Sequence, residues 1–341
     1  MADTMDYKTL ITKVVSRQDL TEGEAGEAIR MIMSGQLTEA QIGAFLIAER
    51  MKGESAAELT AFASAMRDFA VKKKFDYMLV DTCGTGGDTI KTFNISTTTA
   101  FLLASAGVKV AKHGNRAFTS KAGSADVLEA LGVNINLNAD KVGECIEQTN
   151  LGFLFAPNFH PAMKYAGKVR REIMTRTFFN LLGPLTNPFG ATRQVVGVFS
   201  KEYAAKIAQV LANLGCEHGF VLFGVDGLDE ASTLGTTQVY QIIKGTISEG
   251  SVTPEMFGLK RALPEEIAGG TAEENAKAIL KILAGEKGPK RDIVLLNAGF
   301  AFVAVDRARD VNEGMKIAAE EIDSGRAMKK LEEFVACTKS V

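Results

Sequence analysis

The chain has 341 residues, 39 lysines and arginines against 41 aspartates and glutamates, and 46% apolar residues. That length predicts two domains with ample chain for a large core. The net charge of −2, with both signs interspersed, argues against a nucleic-acid or anionic-membrane surface and leaves room only for a local basic pocket.

The first residues, Met1 to Asp6, are polar and acidic, so no signal peptide is expected. Apolar runs such as 293–305 are too short, and too interrupted by Asn297 and Gly299, to span a bilayer. Cys83, Cys145, Cys216 and Cys337 lie far apart without metal or redox spacing, which predicts buried thiols in a cytosolic protein.

The segment up to residue 70 reads as helical. Thr21-x-x-Glu24, Thr38-x-x-Gln41 and Ser55-x-x-Glu58 are capping boxes, each ahead of an amphipathic run, and Gly35 and Gly53 sit where helices end. Stripes such as Ala28, Ile29, Ile32 and Met33, or Leu59, Phe62, Ala63 and Met66, predict a small bundle with these residues in its core. Lys72-Lys73-Lys74 marks the crossing into a second domain as a solvated linker.

An apolar run at Tyr77 to Val80 predicts a strand that runs into Asp81-Thr82-Cys83-Gly84-Thr85-Gly86-Gly87-Asp88. Three glycines in four positions let a backbone approach a ligand closely. Asn94 and Ser96 are natural caps for a helix over about Thr97 to Ser105, and strand, glycine loop and helix N-terminus together form an anion site. A second strand, Gly107 to Ala111, delivers Lys112-His113-Gly114-Asn115-Arg116 to the same sheet edge. Lys112, Arg116 and Lys121 bring positive charge, and Thr119, Ser120 and Ser124 bring hydroxyls suited to phosphate. Asp88 beside phosphates requires sugar hydroxyls or a metal to make it tolerable.

Further along, 125–131 and 141–149 read as helices, and 133–137 and 153–156 as short strands. Pro157 to Lys164 leads into helices through Arg170 and over 177–182, a helical insertion that rejoins the N-terminal bundle. Strands at 195–199 and 219–224 flank a helix at 202–214. The second strand ends in Asp229-Glu230, a carboxylate pair suited to a hard cation such as Mg2+. The runs 238–244 and 248–253 read as an antiparallel edge hairpin, and the tail from Thr271 is helical with a buried segment at 291–305. The fold class is therefore α/β: a small N-terminal helical bundle domain plus a larger α/β domain with a mostly parallel central sheet flanked by helices.

The motifs Gly84-Thr85-Gly86-Gly87-Asp88, Asn94-Ile95-Ser96-Thr97, Lys112-His113-Gly114-Asn115-Arg116, Gly123-Ser124-Ala125-Asp126, His160-Pro161-Ala162-Met163-Lys164, Arg176-Thr177-x-Phe179-Asn180-x-Leu182-Gly183-Pro184 and Asp229-Glu230 run almost end to end. In this order they resemble the anthranilate phosphoribosyltransferase family, which shares its fold with pyrimidine nucleoside phosphorylases. The resemblance implies transfer of a 5-phosphoribosyl group from phosphoribosyl pyrophosphate (PRPP) to the amine of anthranilate, toward tryptophan. It implies a helical domain of 1–72 joined by an insertion of about 165–185, an α/β domain of 75–164 and 190–341, a homodimer, and two Mg2+ ions per monomer. PRPP would lie on Gly84, Thr85, Gly86, Gly87, Asp88, Thr92, Asn94, Ile95, Ser96, Thr97, Lys112, His113, Gly114, Asn115, Arg116, Thr119, Ser120 and Ser124. Anthranilate would lie on Gly84, Asn115, His160, Arg170 and Gly183, and the metal on Ser96, Asp229 and Glu230. Two departures stand out: Met174 replaces a usual glycine, and Thr89-Ile90-Lys91 replaces a turn of smaller residues.

The residues fit that chemistry on their own terms. Cations, helix N–H groups and Mg2+ neutralise the donor, Arg170 suits a carboxylate, and a neutral aromatic amine needs orientation more than a base. No general acid or base is assigned; His113 and His160 are expected to position groups, and His218 is an ordinary strand-edge histidine. A pyrimidine nucleoside phosphorylase and a non-catalytic, nucleic-acid-binding relative are the competing readings. The first leaves Arg170 without a purpose, and the second needs a basic groove.

Overall fold

The computed structural model describes residues 6–87, 90–117 and 121–341. Four helices open the chain, α1 (Tyr7–Val15), α2 (Glu22–Met33), α3 (Glu39–Lys52) and α4 (Ala56–Asp68). The last three begin at the expected capping boxes, with both reciprocal hydrogen bonds formed in each. Gly35 and Gly53 follow α2 and α3 at φ of +73° and +86°, a backbone region that favours glycine.

The alternating region runs β1 (Val80–Gly84), α5 (Ile95–Ser105), β2 (Val110–Gly114), α6 (Ser124–Ala130), α7 (Ala139–Thr149) and β3 (Leu151–Phe155). Short helices α8 (Ala156–Phe159), α9 (Lys164–Glu172) and α10 (Phe179–Leu182) follow. Then come β4 (Arg193–Gly197), α11 (Lys201–Asn213), β5 (His218–Gly224), and the hairpin β6 (Thr237–Ile243) and β7 (Thr246–Val252). The tail is α12 (Pro264–Ile267), α13 (Ala272–Leu283), α14 (Pro289–Ala304), α15 (Val311–Asp323) and α16 (Arg326–Ser340).

The strands form one sheet in the order β3-β2-β1-β4-β5-β6-β7, parallel from β3 to β5 and antiparallel at the hairpin edge. Chain order runs outward to one side from β1 and to the other from β4. The seam between these two strands is therefore a topological switch point, where open α/β sheets bind ligands outside their carboxyl ends.

Side chains alternate across the sheet and divide the core. Val195, Phe220 and Leu222 join the cluster built with α5 and α14, while Val196, Val221 and Phe223 join a second cluster with α11. That second cluster continues without a break into the helical bundle. Phe178 closes the bundle: its ring stands 4.5 Å from that of Phe62 and 6.2 Å, edge to face, from that of Phe45.

Several local expectations shift. The strands expected at 77–80 and 107–111 lie at Val80–Gly84 and Val110–Gly114, so Asp81, Thr82, Lys112 and His113 belong to strands rather than loops. Their polar groups find partners across the sheet: Asn187 donates to Asp81 at 2.8 Å, and Lys112 donates to the Thr82 carbonyl. Residues 133–137 bury Val133, Ile135 and Leu137 as a strand would, yet form no ladder. Asn94 precedes α5 without capping it through its side chain, and Ser96 lies inside the helix. Met174 and Lys91, from the two departures in the motifs, both sit at positive φ, +48° and +56°. That backbone conformation is the physical reason a smaller residue suits either place.

Candidate functional site

Gly84 and Gly197 face each other as register partners at the end of the β1–β4 seam. A Cβ on Gly84 would come within 2.4 Å of Asp229 Oδ2, and one on Gly197 within 1.4 Å of the Asp229 carbonyl oxygen. The paired glycines thus make the slot through which Asp229, on the loop after β5, enters the site. Inside it, Asp229 Oδ2 accepts a hydrogen bond from the Gly86 amide at 2.8 Å. The loop is fixed further by Thr85, whose amide donates to the Gly197 carbonyl at 2.8 Å. Gly86 and Gly87 take φ of +71° and +87°, as a loop of this curvature needs.

Lys112 projects from β2 beneath this loop, almost fully buried. It donates to the Thr82 carbonyl and, at 3.3 Å, to Ser96 Oγ. Burial lowers its pKa, against which nearby Asp81 and Glu230 support the charge. Burial in turn pushes Asp81 up to about 6, opposed by Lys112 and the hydrogen bond from Asn187.

The second loop is organised by Asp126, which accepts hydrogen bonds from the amides of Ala117 and Gly123 at 2.9 Å each. Arg116, expected to face phosphate, is instead paired with Asp126 and Glu129 at 3.0 Å. Its guanidinium braces the loop in this state, so its charge is already shared.

His113 Nδ1 lies 3.0 Å from the Gly183 carbonyl, and an acceptor there assigns the proton to Nδ1. Burial, with His160 beside it, pushes His113 down to about 3, and burial pushes His160 down to about 4. The two rings stand 5.1 Å apart, and each keeps a buried Nε2 without a hydrogen-bond partner. Both are neutral acceptors rather than proton carriers. Arg170, on α9, places its guanidinium 5.2 Å from the centre of the Phe179 ring.

Every described residue expected to contact substrate or metal lines one cavity of about 720 Å³, from Gly84 through Ser124, His160, Arg170 and Gly183 to Asp229 and Glu230, whereas Lys121, expected to add positive charge, is exposed outside its lining. Asp88, Thr119 and Ser120 lie outside the described residues. Asn275 belongs to no motif in the sequence, yet its amide donates to Asn94 Oδ1 at 3.0 Å, while Asn94 donates to the Ala122 carbonyl at 3.4 Å. Asn275 thus ties α13 to both loops. Only the contact, across 181 positions, identifies it.

For a metal, the donors are the carboxylates of Asp229 and Glu230 and the Ser96 hydroxyl, all lining the cavity. Glu230 bears electrostatically on Lys112, the residue bonded to Ser96. Among the described residues no three of His, Cys, Asp and Glu converge into a cage. Hard oxygen donors in an open arrangement suit Mg2+, which keeps water and phosphate oxygens in its shell.

Residues 8–70 match the model of the glycosyl transferase family helical bundle domain, and residues 76–328 match that of the glycosyl transferase family a/b domain. The chain is 51% identical over 343 residues to the anthranilate phosphoribosyltransferase of Geobacter sp. (strain M21), covering 96% of this chain and 97% of the relative. It is 50% identical to that of Acetivibrio thermocellus, covering 98% and 97%. Among solved structures, the anthranilate phosphoribosyltransferase of Thermus thermophilus superposes with a TM-score of 0.92 at 44% identity, over 97% of this chain and 99% of that one. The Saccharomyces cerevisiae protein in complex with PRPP and Mg gives 0.91 at 29% identity, over 99% of each.

Proposed function

This chain belongs to the anthranilate phosphoribosyltransferases of the glycosyl transferase family, and on that premise we propose how its cleft residues divide the work. The reaction moves the 5-phosphoribosyl group of PRPP to the amine of anthranilate, giving N-(5-phosphoribosyl)anthranilate and pyrophosphate, the second step from chorismate to tryptophan. The convergence of the expected residues on one cavity carries the assignment of roles.

In our reading the donor lies over the glycine loop, with its anionic groups against the N-terminus of α5, Lys112 and the second loop. Mg2+ dependence follows the yeast relative, whose complex holds Mg. Ser96, Asp229 and Glu230 would hold the ion, and we propose two ions per monomer. When bound, the metal supplies charge neutralisation for the departing pyrophosphate. Arg170 takes the anthranilate carboxylate, with Gly84, Asn115 and Gly183 along its path. His160, neutral and lining the cavity, stands beside that path, and the amine is a nucleophile that needs orientation rather than deprotonation before attack.

We also propose that the domains divide at 1–72 with about 165–185 on the helical side, and 75–164 with 190–341 on the other. The packing of α9 against α2 and α3 supports this division. Val15 and Met51, exposed on α1 and α3, support a homodimer through the helical parts. Four unpaired cysteines support a cytoplasmic location. No helix of the described residues is long and apolar enough to cross a membrane.

The test follows anthranilate fluorescence with PRPP and Mg2+ together and with each withheld. Loss of signal only in the complete mixture is expected. Turnover of thymidine or uridine with phosphate, and none of anthranilate, would overturn the assignment in favour of a nucleoside phosphorylase.

A further inference from the structure

Arg176 lies on the segment between α9 and α10, six positions beyond Arg170, and none of the roles assigned in the cleft falls to it. Its Nη2 donates to the Gly87 carbonyl at 3.0 Å, and its guanidinium rests 4.3 Å from the centre of the Phe199 ring. A Cβ on Gly87 would fall 2.1 Å from Nη2, so the contact requires glycine there for space as well as for its φ of +87°. Both Arg176 and Phe199 line the cleft. No carboxylate among the described residues pairs with Arg176, in contrast to Arg116. A guanidinium held by one carbonyl and one aromatic face is therefore a device for fixing that carbonyl.

We propose that Arg176 is a positioning residue for the phosphoribosyl donor, a latch that holds the glycine loop in its ligand-ready shape through the Gly87 carbonyl. The proposal rests on the assignment of that loop to PRPP. Gly86 and Gly87 have access to backbone conformations closed to other residues, so an untethered loop spreads over several shapes. A ligand that binds only one shape has its apparent affinity reduced by the fraction of molecules that hold it. Thr85 ties the start of the loop to Gly197, and two tethers act on the glycine pair itself in this state, Asp229 on the Gly86 amide and Arg176 on the Gly87 carbonyl. Asp229 has a second duty toward the metal; Arg176 has none.

The experiment measures steady-state kinetics with each substrate varied in turn, and thermal melting, for wild type, Arg176→Gln, Arg176→Lys and Phe199→Leu. Arg176→Gln is expected to raise KM for PRPP about tenfold, with KM for anthranilate changed less than about twofold and melting unchanged. Arg176→Lys keeps a cation over the ring and a donor for the carbonyl, so it should recover most of the loss. Phe199→Leu removes the support and should raise the same KM about threefold. Equal rises for both substrates, a loss confined to kcat, or a wild-type KM for PRPP in Arg176→Gln would each overturn the latch. If Arg176→Gln melts early, the Arg176→Lys and Phe199→Leu comparison decides the matter by the same split. A wild-type protein that consumes no anthranilate would refute the functional assignment itself, whereas an active wild type with indifferent variants refutes only the latch.

Discussion

Asp229 and Gly86 are joined by a 2.8 Å hydrogen bond across 143 positions, with the carboxylate taking the amide that an anion-binding loop offers its ligand. The acid thus occupies an amide that a phosphate oxygen could take, and under the proposed function the donor's cation would offer that carboxylate a different partner.

The first prediction concerns that exchange. Asp229→Asn combined with Glu230→Gln keeps the shapes and removes both negative charges, so Mg2+-dependent turnover should fall on the order of 10²-fold. Turnover followed across a Mg2+ titration checks it. A titration curve matching wild type would remove these residues from the metal site.

Arg170→Ala should raise KM for anthranilate by roughly 10- to 100-fold, as expected for loss of a hydrogen bond to a charged group, while KM for PRPP moves far less. Varying each substrate at saturation of the other separates the two. Equal changes would mean that Arg170 shapes the cleft rather than binding the carboxylate.

Glu49, wholly buried on α3, has no hydrogen-bond partner for either carboxylate oxygen. Lys52 lies 3.4 Å from it but sits closer to Glu58 and Asp19, at 2.6 and 2.9 Å. Burial, reinforced by the charge of Glu58, pushes the Glu49 carboxyl up to about 8 from its ordinary 4.5. Between those values the folded protein holds a proton that the unfolded chain releases, so stability from this group falls as pH rises through the window. Glu49→Gln removes the slope. Its advantage over wild type should grow from near zero at a pH near 5 to about 4 kcal/mol at a pH above 8, measured by urea unfolding. Parallel stability curves for the two proteins would contradict the proton linkage.

Met174 is 89% exposed and held at a φ of +48°. Met174→Gly relieves a left-handed backbone that costs a side-chain-bearing residue about 1–2 kcal/mol, partly offset by the greater freedom of glycine in the unfolded chain. A net gain of about 0.5–1 kcal/mol is expected, read as a higher melting temperature with unaltered turnover. A lower melting temperature would show that this turn is not strained.

The bundle was legible from local chemistry, because Thr21, Thr38 and Ser55 meet their box partners three residues on. The residues that converge on the cavity were legible as motifs. Their elements were less so, because Asp81 and Lys112 look like loop residues until Asn187 and the Thr82 carbonyl, both distant in sequence, come within bonding distance. Residues 133–137 alternate correctly but have no neighbouring strand, and alternation alone cannot supply one. Arg116 shows the same limit for charge: its pairing with Glu129, 13 positions on, is not visible in the motif that contains it.

Phe178 has a consequence for synthesis. The ring that completes the packing of Phe45 and Phe62 is translated more than a hundred codons after them. During elongation the first four helices carry an apolar socket with nothing to fill it, and a fragment cut after residue 72 would keep that socket permanently. The nascent N-terminal region therefore leaves apolar surface uncovered, the condition that favours aggregation, until residue 178 leaves the ribosome.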